Sequence, residues 1–406
     1  MRIVKIDHHK DYLLLPDLLW DGISDNPVKG QAVFINKGVI GQFVPVSSLC
    51  DSTLKSLETI RLDGTLMPGL VDCHVHFSMN CENLFQAIDE WDNRPHLVED
   101  RVREAAADYL ANGVLAVRDG GDKKNIGLQV RNSVNSGRYP GPVVTAAGRA
   151  VYRKGRYGEF LGPGIESVNE ALTQIELFRK EGIDQLKVIV SGLVSFKEFG
   201  VVGSLQFTTS ELRAIVNKAH SLGLKVMAHA SSVEAVEAAI RAGVDSVEHG
   251  YFLETRLLEL MAKYLVAWVP TLAPLGNLAA GRHLPYEGAD MEVIRKTHEI
   301  QMARVKEAFE LGVMIGVGTD AGANRVRHGY SYHEELSYYA AAGLSSHSIL
   351  RLATSVSAKI IGRSGEIGAI SQGQKPFLIG VPGNPFESLD VLKNPGLVLL
   401  PETPVD

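Results

Sequence analysis

Several apolar segments of the chain end in residues that bind metals. Five such residues stand at the ends of the segments PGLVDC, KVMAH, SVEH and VMIGVGTD: His74, His76, His229, His249 and Asp320. Residues two apart on a strand project to the same face, so His74 and His76 point in the same direction. Neutral imidazole and carboxylate together are good ligands for Zn²⁺ or a similar divalent ion. The pattern therefore predicts a metal site.

A lysine in a further apolar segment has two possible roles. Lys187 lies inside the segment QLKVIV. A lysine buried at the end of an apolar strand is costly as an ammonium ion, and its pKa would fall. Alternatively, its long side chain extends along the apolar surface and reaches solvent. The segment alone leaves both interpretations open.

Strand and helix patterns alternate through the middle of the chain, so the residues above are placed on a regular framework. Apolar strands are predicted near residues 70, 115, 144, 188, 227, 247, 268 and 316, with amphipathic helices such as 97–112, 167–181 and 209–222 between them. This alternation indicates parallel βα units, and eight strands are the closure number of a (β/α)8 barrel. The fold class is predicted as α/β, with the metal site at the carboxyl ends of the strands.

The two ends of the chain differ from the middle. Segments 31–36 (QAVFIN) and 39–46 (VIGQFVPV) are short, apolar and separated by turn residues, and the part from about residue 365 is similar. Such segments indicate small antiparallel strands. Because barrel closure leaves its two ends close together, we expect these pieces to form one small β domain.

Composition excludes several classes of protein. The 406 residues include 41 basic and 47 acidic ones, and this net charge of −6 argues against a general nucleic-acid binder. No segment of eighteen apolar residues predicts a membrane helix, and early charges argue against a signal peptide. Three cysteines suit a reducing compartment. We expect a cytoplasmic protein with a small-molecule substrate, and a homo-oligomer is compatible with these data.

The motifs resemble those of the amidohydrolase superfamily over nearly the whole chain. MPGLVDCHVHF is similar to its first-strand H-x-H signature, and AHA, EHG and GTDAG are similar to its later ligand strands. GEIGAISQGQKPFLIGVPGNP resembles the return of its carboxyl-terminal part to a β-sandwich. The resemblance implies a distorted (β/α)8 TIM barrel over residues 66–362 and a small β-sandwich built from residues 1–65 and 363–406.

The segment LKVIVSG refines the resemblance. Lys187 is in the position of the carboxylated lysine (N6-carboxylysine) of binuclear members, especially the metal-dependent Xaa-Pro dipeptidases. There the neutral amine captures CO₂, and the resulting carbamate bridges two cations. The resemblance assigns one ion to His74, His76, Asp320 and the carbamate, and the other to His229, His249 and the same carbamate. Zinc is expected, while Mn²⁺, Co²⁺ and Fe²⁺ accept the same ligands.

Such a site would hydrolyse C–N bonds. Two divalent ions roughly 3.5–4 Å apart can share a hydroxide and lower its pKa towards neutrality. We expect that hydroxide to attack an amide or peptide carbonyl. Asp320 would serve as ligand and as general base, passing the proton to the leaving amine. The predicted substrate is small, such as a dipeptide or an N-acyl amino acid.

Candidate substrate-binding residues follow the predicted strands. Their basic members could bind a carboxylate, although they could also be solvated loop charges. The candidates are Tyr251, Arg149, Tyr152, Arg325 and His328. In the dipeptidase branch a Gly- and His-rich segment usually follows the third strand, and YRKGRYGEFLGPG replaces it here.

Two acidic residues beside the ligands have predicted supporting roles. By strand alternation Glu248 faces away from the site and braces the barrel. Asp72 precedes His74 by two residues and shares its face, so it either orients an imidazole or is an ordinary polar strand residue.

Three alternatives remain at this stage. The first is a mononuclear deaminase or cyclic-amide hydrolase similar to imidazolonepropionase, which needs no modified lysine. The second is a lactonase or phosphotriesterase, because the same hydroxide attacks C–O and P–O centres. The third is a barrel that has lost catalysis.

Overall fold

The computed structural model describes residues 1–281 and 286–402, and strands occur along most of this length. The strands are β1 Arg2–Ile6, β2 Tyr12–Leu19, β3 Val28–Lys29, β4 Gln31–Asn36, β5 Val39–Pro45, β6 Glu58–Pro68, β7 Leu70–Val75, β8 Val114–Asp119, β9 Val143–Ala146, β10 Ala150–Val151, β11 Gln185–Ile189, β12 Lys225–Ala230, β13 Ser246–His249, β14 Ala267–Val269, β15 Leu378–Val381 and β16 Leu397–Pro401.

Helices separate most of the central strands. The α-helices are α1 Asp51–Ser56, α2 Leu84–Asn93, α3 Pro95–Ala111, α4 Ile126–Asn135, α5 Val168–Lys180, α6 Thr209–Ser221, α7 Val233–Ala242, α8 Thr255–Tyr264, α9 Ala273–Ala280, α10 Met291–Glu310, α11 Tyr330–Ala341, α12 Ser346–Arg351 and α13 Ser357–Ile360. Short 3-10 segments occupy Val46–Ser48 and Leu389–Lys393, and a π-helical turn occupies Leu352–Val356.

A mixed sheet joins strands from both ends of the chain. Its order is β1-β16-β15-β6-β2-β4-β5, with β3 paired to β2. The predicted antiparallel pairing of segments 31–36 and 39–46 is confirmed in β4 and β5. Strand β6 continues to Pro68, past the predicted boundary at residue 65. The domain boundaries themselves stay a prediction, and residues 403–406 of the last predicted segment lie outside the described residues.

Strand β2 shows why this sheet is stable on both faces. Its sequence YLLLPDLL places alternate apolar side chains on opposite sides. Tyr12 and Leu14 belong to one apolar cluster, whereas Leu13 and Leu15 belong to another. The sequence of β2 is therefore almost continuously apolar, because both of its faces are buried.

Parallel strands carry the middle of the chain. One sheet has the order β7-β8-β9 and another has the order β10-β11-β12-β13-β14, with all neighbours parallel. Helix α5 begins after Ser167, whose hydroxyl accepts from the N–H of Glu170. Helix α6 begins with a reciprocal capping box between Thr208 and Glu211. These parts confirm the α/β class.

The predicted eighth strand is wrong as a regular element. Residues 313–319 form no continuous ladder; an isolated parallel bridge pairs Trp268 with Ile315, and another pairs Val75 with Ala321. The N–H of Cys73 also donates to the Val317 carbonyl at 2.7 Å. The segment thus touches strands β14 and β7 without forming a full strand between them.

Side chains take up backbone amides that a regular strand would use. The N–H of Val317 donates to the Ser357 hydroxyl, and the N–H of Thr319 donates to the Asp72 carboxylate, each at 3.0 Å. Glycines at 316 and 318 also lower the strand tendency of this segment.

Within the described residues, no helix has the length and apolar character needed to cross a bilayer.

Gly318 tests how closely this segment packs against β14 and β7. A Cβ at this position would lie 2.4 Å from Cγ1 of Val269 and 3.1 Å from the backbone N of His74. We expect Gly318→Ala to lower the free energy of unfolding by about 1–3 kcal/mol, because the added methyl overpacks the contact. Chemical denaturation measures this change. Gly396→Ala is the control, since its Cβ would meet only the Gly380 carbonyl at 3.8 Å, and equal losses in both variants would contradict the explanation.

Candidate metal centre

All six predicted metal ligands line one cavity at the carboxyl ends of the parallel strands. The cavity, as lined by described residues, has a volume of about 370 Å³. Its ligand candidates come from β7 and the residue after it, from β11, β12 and β13, and from the segment after residue 319: His74, His76, Lys187, His229, His249 and Asp320. Residues up to 246 positions apart in the sequence therefore meet at one point, from His74 to Asp320.

Three of these residues form a compact donor cluster. Oδ1 of Asp320 lies 3.6 Å from Nε2 of His74 and 3.6 Å from Nε2 of His76. One ligand atom from each residue lies within 4.8 Å of the other two. Two imidazole nitrogens and a carboxylate oxygen in this arrangement can hold a divalent ion.

The other three residues lie beside this cluster. Nζ of Lys187 is 3.2 Å from Nε2 of His74, and the rings of His229 and His249 have centroids 4.5 Å apart. Lys187 is only 1% exposed, so the interpretation that its side chain reaches solvent is wrong. Burial lowers the pKa of the Lys187 amine, which favours its neutral form.

Partners outside the cavity orient three of the imidazoles. Nδ1 of His74 lies 2.8 Å from Glu248 Oε2, and Nδ1 of His76 lies 3.0 Å from the Gly121 carbonyl. Carboxylate and carbonyl oxygens only accept, so both Nδ1 atoms carry the hydrogen and both Nε2 atoms offer lone pairs to the cavity. Nδ1 of His249 contacts the Thr271 hydroxyl at 2.7 Å.

His229 has the loosest outer contact of the four imidazoles. Its Nε2 lies 3.4 Å from the Gly192 carbonyl. This contact leaves Nδ1 as the nitrogen available to the cavity. The imidazoles therefore present Nε2 atoms in some cases and Nδ1 in the case of His229 as possible metal-binding nitrogens in one cavity.

Glu248 braces the strands as predicted, through Arg118 and Ser246, but it does not face away from the site, because it also binds His74. Glu248 is fully buried, and its carboxylate oxygens lie 2.8 and 3.0 Å from Nη2 of Arg118 while also accepting from His74. The Ser246 hydroxyl donates to the same carboxylate at 2.5 Å. Glu248 shares a face with Ser246, two residues before it, as strand alternation requires. His249 instead adopts a left-handed backbone, with φ of 70°, and its own side chain lines the cavity. Glu248 thus supports His74 directly.

Asp72 organises backbone rather than an imidazole. Its Oδ1 accepts from the N–H groups of His74 at 3.2 Å and Thr319 at 3.0 Å. Its Oδ2 accepts from the Thr319 hydroxyl at 2.7 Å. The carboxylate therefore joins the strand that carries His74 to the segment that carries Asp320.

Three residues in or beside the site have a strained, left-handed backbone. His249, Thr271 and Asp320 have φ values of 70°, 50° and 57°, a region that costs a non-glycine residue about 1–3 kcal/mol. Hydrogen bonds hold the first of these turns, because Gln301 Nε2 and Trp268 Nε1 donate to the His249 carbonyl at 3.0 and 2.9 Å. Gln301 comes from α10, and no local sequence pattern pointed to it.

Burial also sets the protonation states of the site. Desolvation, followed by the nearby Lys187 charge, lowers the pKa of His76 and of His229 to about 3. Burial likewise holds the pKa of His74 and His249 well below the ordinary value. The imidazoles are therefore neutral at pH 7, which is the form that binds metal ions. Burial raises the pKa of the Asp320 carboxyl, while the charge of Lys187 opposes that rise.

Two tyrosines extend the cavity wall next to the imidazoles. The ring of Tyr251, a predicted substrate-binding residue, stacks on His249 with centroids 5.8 Å apart and an interplanar angle of 9°. Tyr157 also lines the cavity, with its ring centroid 5.4 Å from that of His229. The sequence interpretation missed Tyr157, which lies in the loop that contains Arg149 and Tyr152.

The other four predicted substrate-binding residues do not line this cavity, and that part of the prediction is corrected. Arg149 pairs with Glu181, and Tyr152 packs inside its own loop. Arg325 lines a neighbouring cavity, and Nδ1 of His328 is 2.9 Å from a buried tyrosine hydroxyl. Arg149 and His328 have partners that are remote in sequence, so their position in a loop alone did not predict where their side chains lie.

The molecule thus combines an α/β fold with a histidine-rich candidate metal site at the carboxyl ends of its parallel strands. Residues 65–399 match the model of the Amidohydrolase family. The chain therefore belongs to the amidohydrolase family and is an enzyme that hydrolyses C–N bonds.

Similarity to individual proteins is distant but covers most of the chain. Ochratoxinase from Aspergillus niger is 24% identical over 425 aligned residues, covering 98% of this chain and 86% of that protein. The crystal structure of a Xaa-Pro dipeptidase with methionine bound in its active site matches with a TM-score of 0.85 and 27% identity, covering 96% of this chain and 98% of that one. A putative prolidase from Bifidobacterium longum matches with a TM-score of 0.80 and 25% identity, covering 96% and 93%.

Glu248→Gln tests the support of His74. We expect metal affinity to fall about 10–100-fold, because the neutral amide leaves the Arg118 charge unpaired and orients the imidazole less firmly. Competition with a chromogenic chelator measures the affinity, and circular dichroism checks the fold. Glu211→Gln is the matched control, since Glu211 pairs with Arg153 at 2.8 Å outside the cavity. Unchanged affinity in a folded Glu248→Gln protein would contradict the assigned role.

Proposed function

We propose that this protein hydrolyses an amide or peptide bond in a small substrate with the help of two divalent metal ions. The observation that carries the proposal is the meeting of six potential ligands in one cavity with neutral imidazoles and a buried lysine. Dipeptides and N-acyl amino acids are the substrate classes to test first.

The donor set fits the two ions. His74, His76 and Asp320 would hold one ion, and His229 with His249 would hold the other. Lys187, as a carbamate, would contribute to both, because its lowered pKa supplies the neutral amine that reacts with CO₂. Imidazole and carboxylate donors favour zinc. When bound, the ions would acidify a water molecule and polarise the substrate carbonyl.

Asp320 is the proposed proton carrier. Its carboxylate lies 3.6 Å from Nε2 of both His74 and His76, so beside the ions it would accept a proton from the attacking water and release it to the leaving amine. Its left-handed backbone and the bond from its N–H to the His74 carbonyl, at 2.7 Å, fix its position over the cavity.

The comparisons support an amide or peptide substrate. A Xaa-Pro dipeptidase and a putative prolidase are among the similar solved structures, and the former holds methionine in its active site. By this similarity, our proposal for this chain includes a substrate that contains an amino acid.

We also propose that the parallel strands close into a distorted barrel over residues 66–362, with a β-sandwich formed by the two ends. Support comes from the contacts of segment 314–321 with both parallel sheets, including the bond from Trp268 N–H to the Met314 carbonyl at 2.9 Å. A cytoplasmic location remains a prediction from composition.

A mononuclear enzyme is the second candidate. It is favoured by the tight grouping of His74, His76 and Asp320, which would suffice for one ion. In that case Lys187 would remain an unmodified amine.

Metal counting separates the two candidates. We expect two ions per chain in the wild type and at most one in Lys187→Ala, because the carbamate is the shared ligand. Elemental analysis gives the count, and ¹³C NMR after labelling with ¹³CO₂ detects the carbamate. Added propionate should restore part of the lost metal by supplying a carboxylate. One ion per wild-type chain with no labelled lysine would establish the mononuclear alternative.

Asp320→Asn tests the proton carrier. We expect kcat to fall about 10²–10⁴-fold, since the amide cannot take the proton. Steady-state kinetics on dipeptides and N-acyl amino acids measure the change, with metal content determined for each preparation. Asp390→Asn, which alters an exposed pair with Lys393, is the control and should keep wild-type rates. Wild-type kcat in a metal-loaded Asp320→Asn protein would refute this role.

A further inference from the structure

Apolar side chains make up most of the cavity wall beyond the candidate ligands. They come from the loops and helices that follow several different strands. Examples are Met79, Phe85, Phe160, Leu193, Phe196 and Leu278. Among the described lining residues, Lys187 is the only lysine or arginine, whereas Glu82 and Asp320 are acidic.

Part of this wall packs against its own neighbours. Val194, Tyr251 and Leu278 belong to an apolar cluster that is separate from the main core. The ring of Phe196 stacks on Tyr286 with centroids 5.8 Å apart. The carbonyl of Phe196 also accepts from the N–H of Asp290 at 2.7 Å. The apolar wall is thus held in place by its own packing.

Other wall residues are exposed at the cavity mouth. Phe85 is 82% exposed and Leu193 is 52% exposed, although both line the cavity. Covering such side chains with an apolar group removes their surface from water, which favours binding. A small, charged dipeptide would leave them uncovered and would lose hydration of its own charges against the wall.

We infer that the preferred substrate is an amide with a bulky apolar group, aromatic or long aliphatic, on one side of the scissile C–N bond. This inference rests on the proposed function and names its substrate class. Phe85 and Leu193 are specificity-determining residues in it, because they contact that group at the mouth.

Matched substrate series test the inference. The metal-replete enzyme is given N-acetyl, N-hexanoyl and N-(3-phenylpropionyl) derivatives of one amino acid, and then N-acetyl derivatives of glycine, leucine and phenylalanine. We expect kcat/KM to rise about 10–100-fold with apolar size in at least one series. Flat or falling values in both series, with measurable turnover, would overturn the inference and leave the hydrolase proposal intact.

Absence of turnover has a different meaning. If the metal-loaded protein hydrolyses no member, the proposed function fails, and calorimetric binding of the same compounds decides the inference. Tighter binding of the phenylpropionyl than of the acetyl compound supports it, and equal or weaker binding overturns it.

Substitutions locate the effect. In Phe85→Ala combined with Leu193→Ala, the preference for the large over the small group should fall about tenfold. Both side chains are exposed, so the fold should persist, and thermal melting checks this. Leu177→Ala is the control, because Leu177 is 49% exposed on α5 and lies outside the cavity. A wild-type preference in the double variant would overturn the assignment of these residues.

Discussion

A buried ion pair holds the centre of this molecule together. The Glu248 carboxylate is fully enclosed, and Arg118, itself 2% exposed, approaches both of its oxygens. Arg118 also donates to the Cys73 carbonyl at 2.6 Å, one residue before His74. Loss of one partner from such a pair typically costs about 3–5 kcal/mol, because the other charge stays buried. The pair therefore ties the stability of three strands to the orientation of one imidazole.

Irregular backbone in the segment 313–321 positions Asp320, as the ion pair positions His74. Between residues 313 and 321 the ladder is interrupted, and side chains of Ser357 and Asp72 bind the amides instead. This interruption frees Asp320 to adopt a left-handed conformation and to turn its carboxylate towards His74 and His76. In a regular strand the direction of each side chain is fixed by alternation, so the Asp320 carboxylate could not be turned separately. The irregular backbone between residues 313 and 321 thus determines where the Asp320 carboxylate lies in the site.

The sequence predicts features that depend on local pattern. Strands β12 and β13 lie where strands were predicted, near residues 227 and 247, since apolar runs followed by a polar residue mark them clearly. The gathering of the six candidate ligands follows because parallel strands all end on the same side. The contact of Glu248 with His74 was not predictable from alternation along one strand, because His74 lies 174 residues away in the sequence. Arg149 was misplaced because its partner, Glu181, is remote in sequence.

The apolar wall and the polar centre depend on each other. Electrostatic interactions strengthen where water is excluded, and a cavity with exposed Phe85 and Leu193 excludes water fully only when something covers its mouth. A bulky apolar substrate group would provide that cover, whereas a small polar one would leave the cavity wet. Binding of the remote group would then strengthen the interactions of Asp320 and the imidazoles at the scissile bond. Specificity for apolar size should therefore appear in kcat as well as in KM, since the same contact that selects the substrate also dries the site.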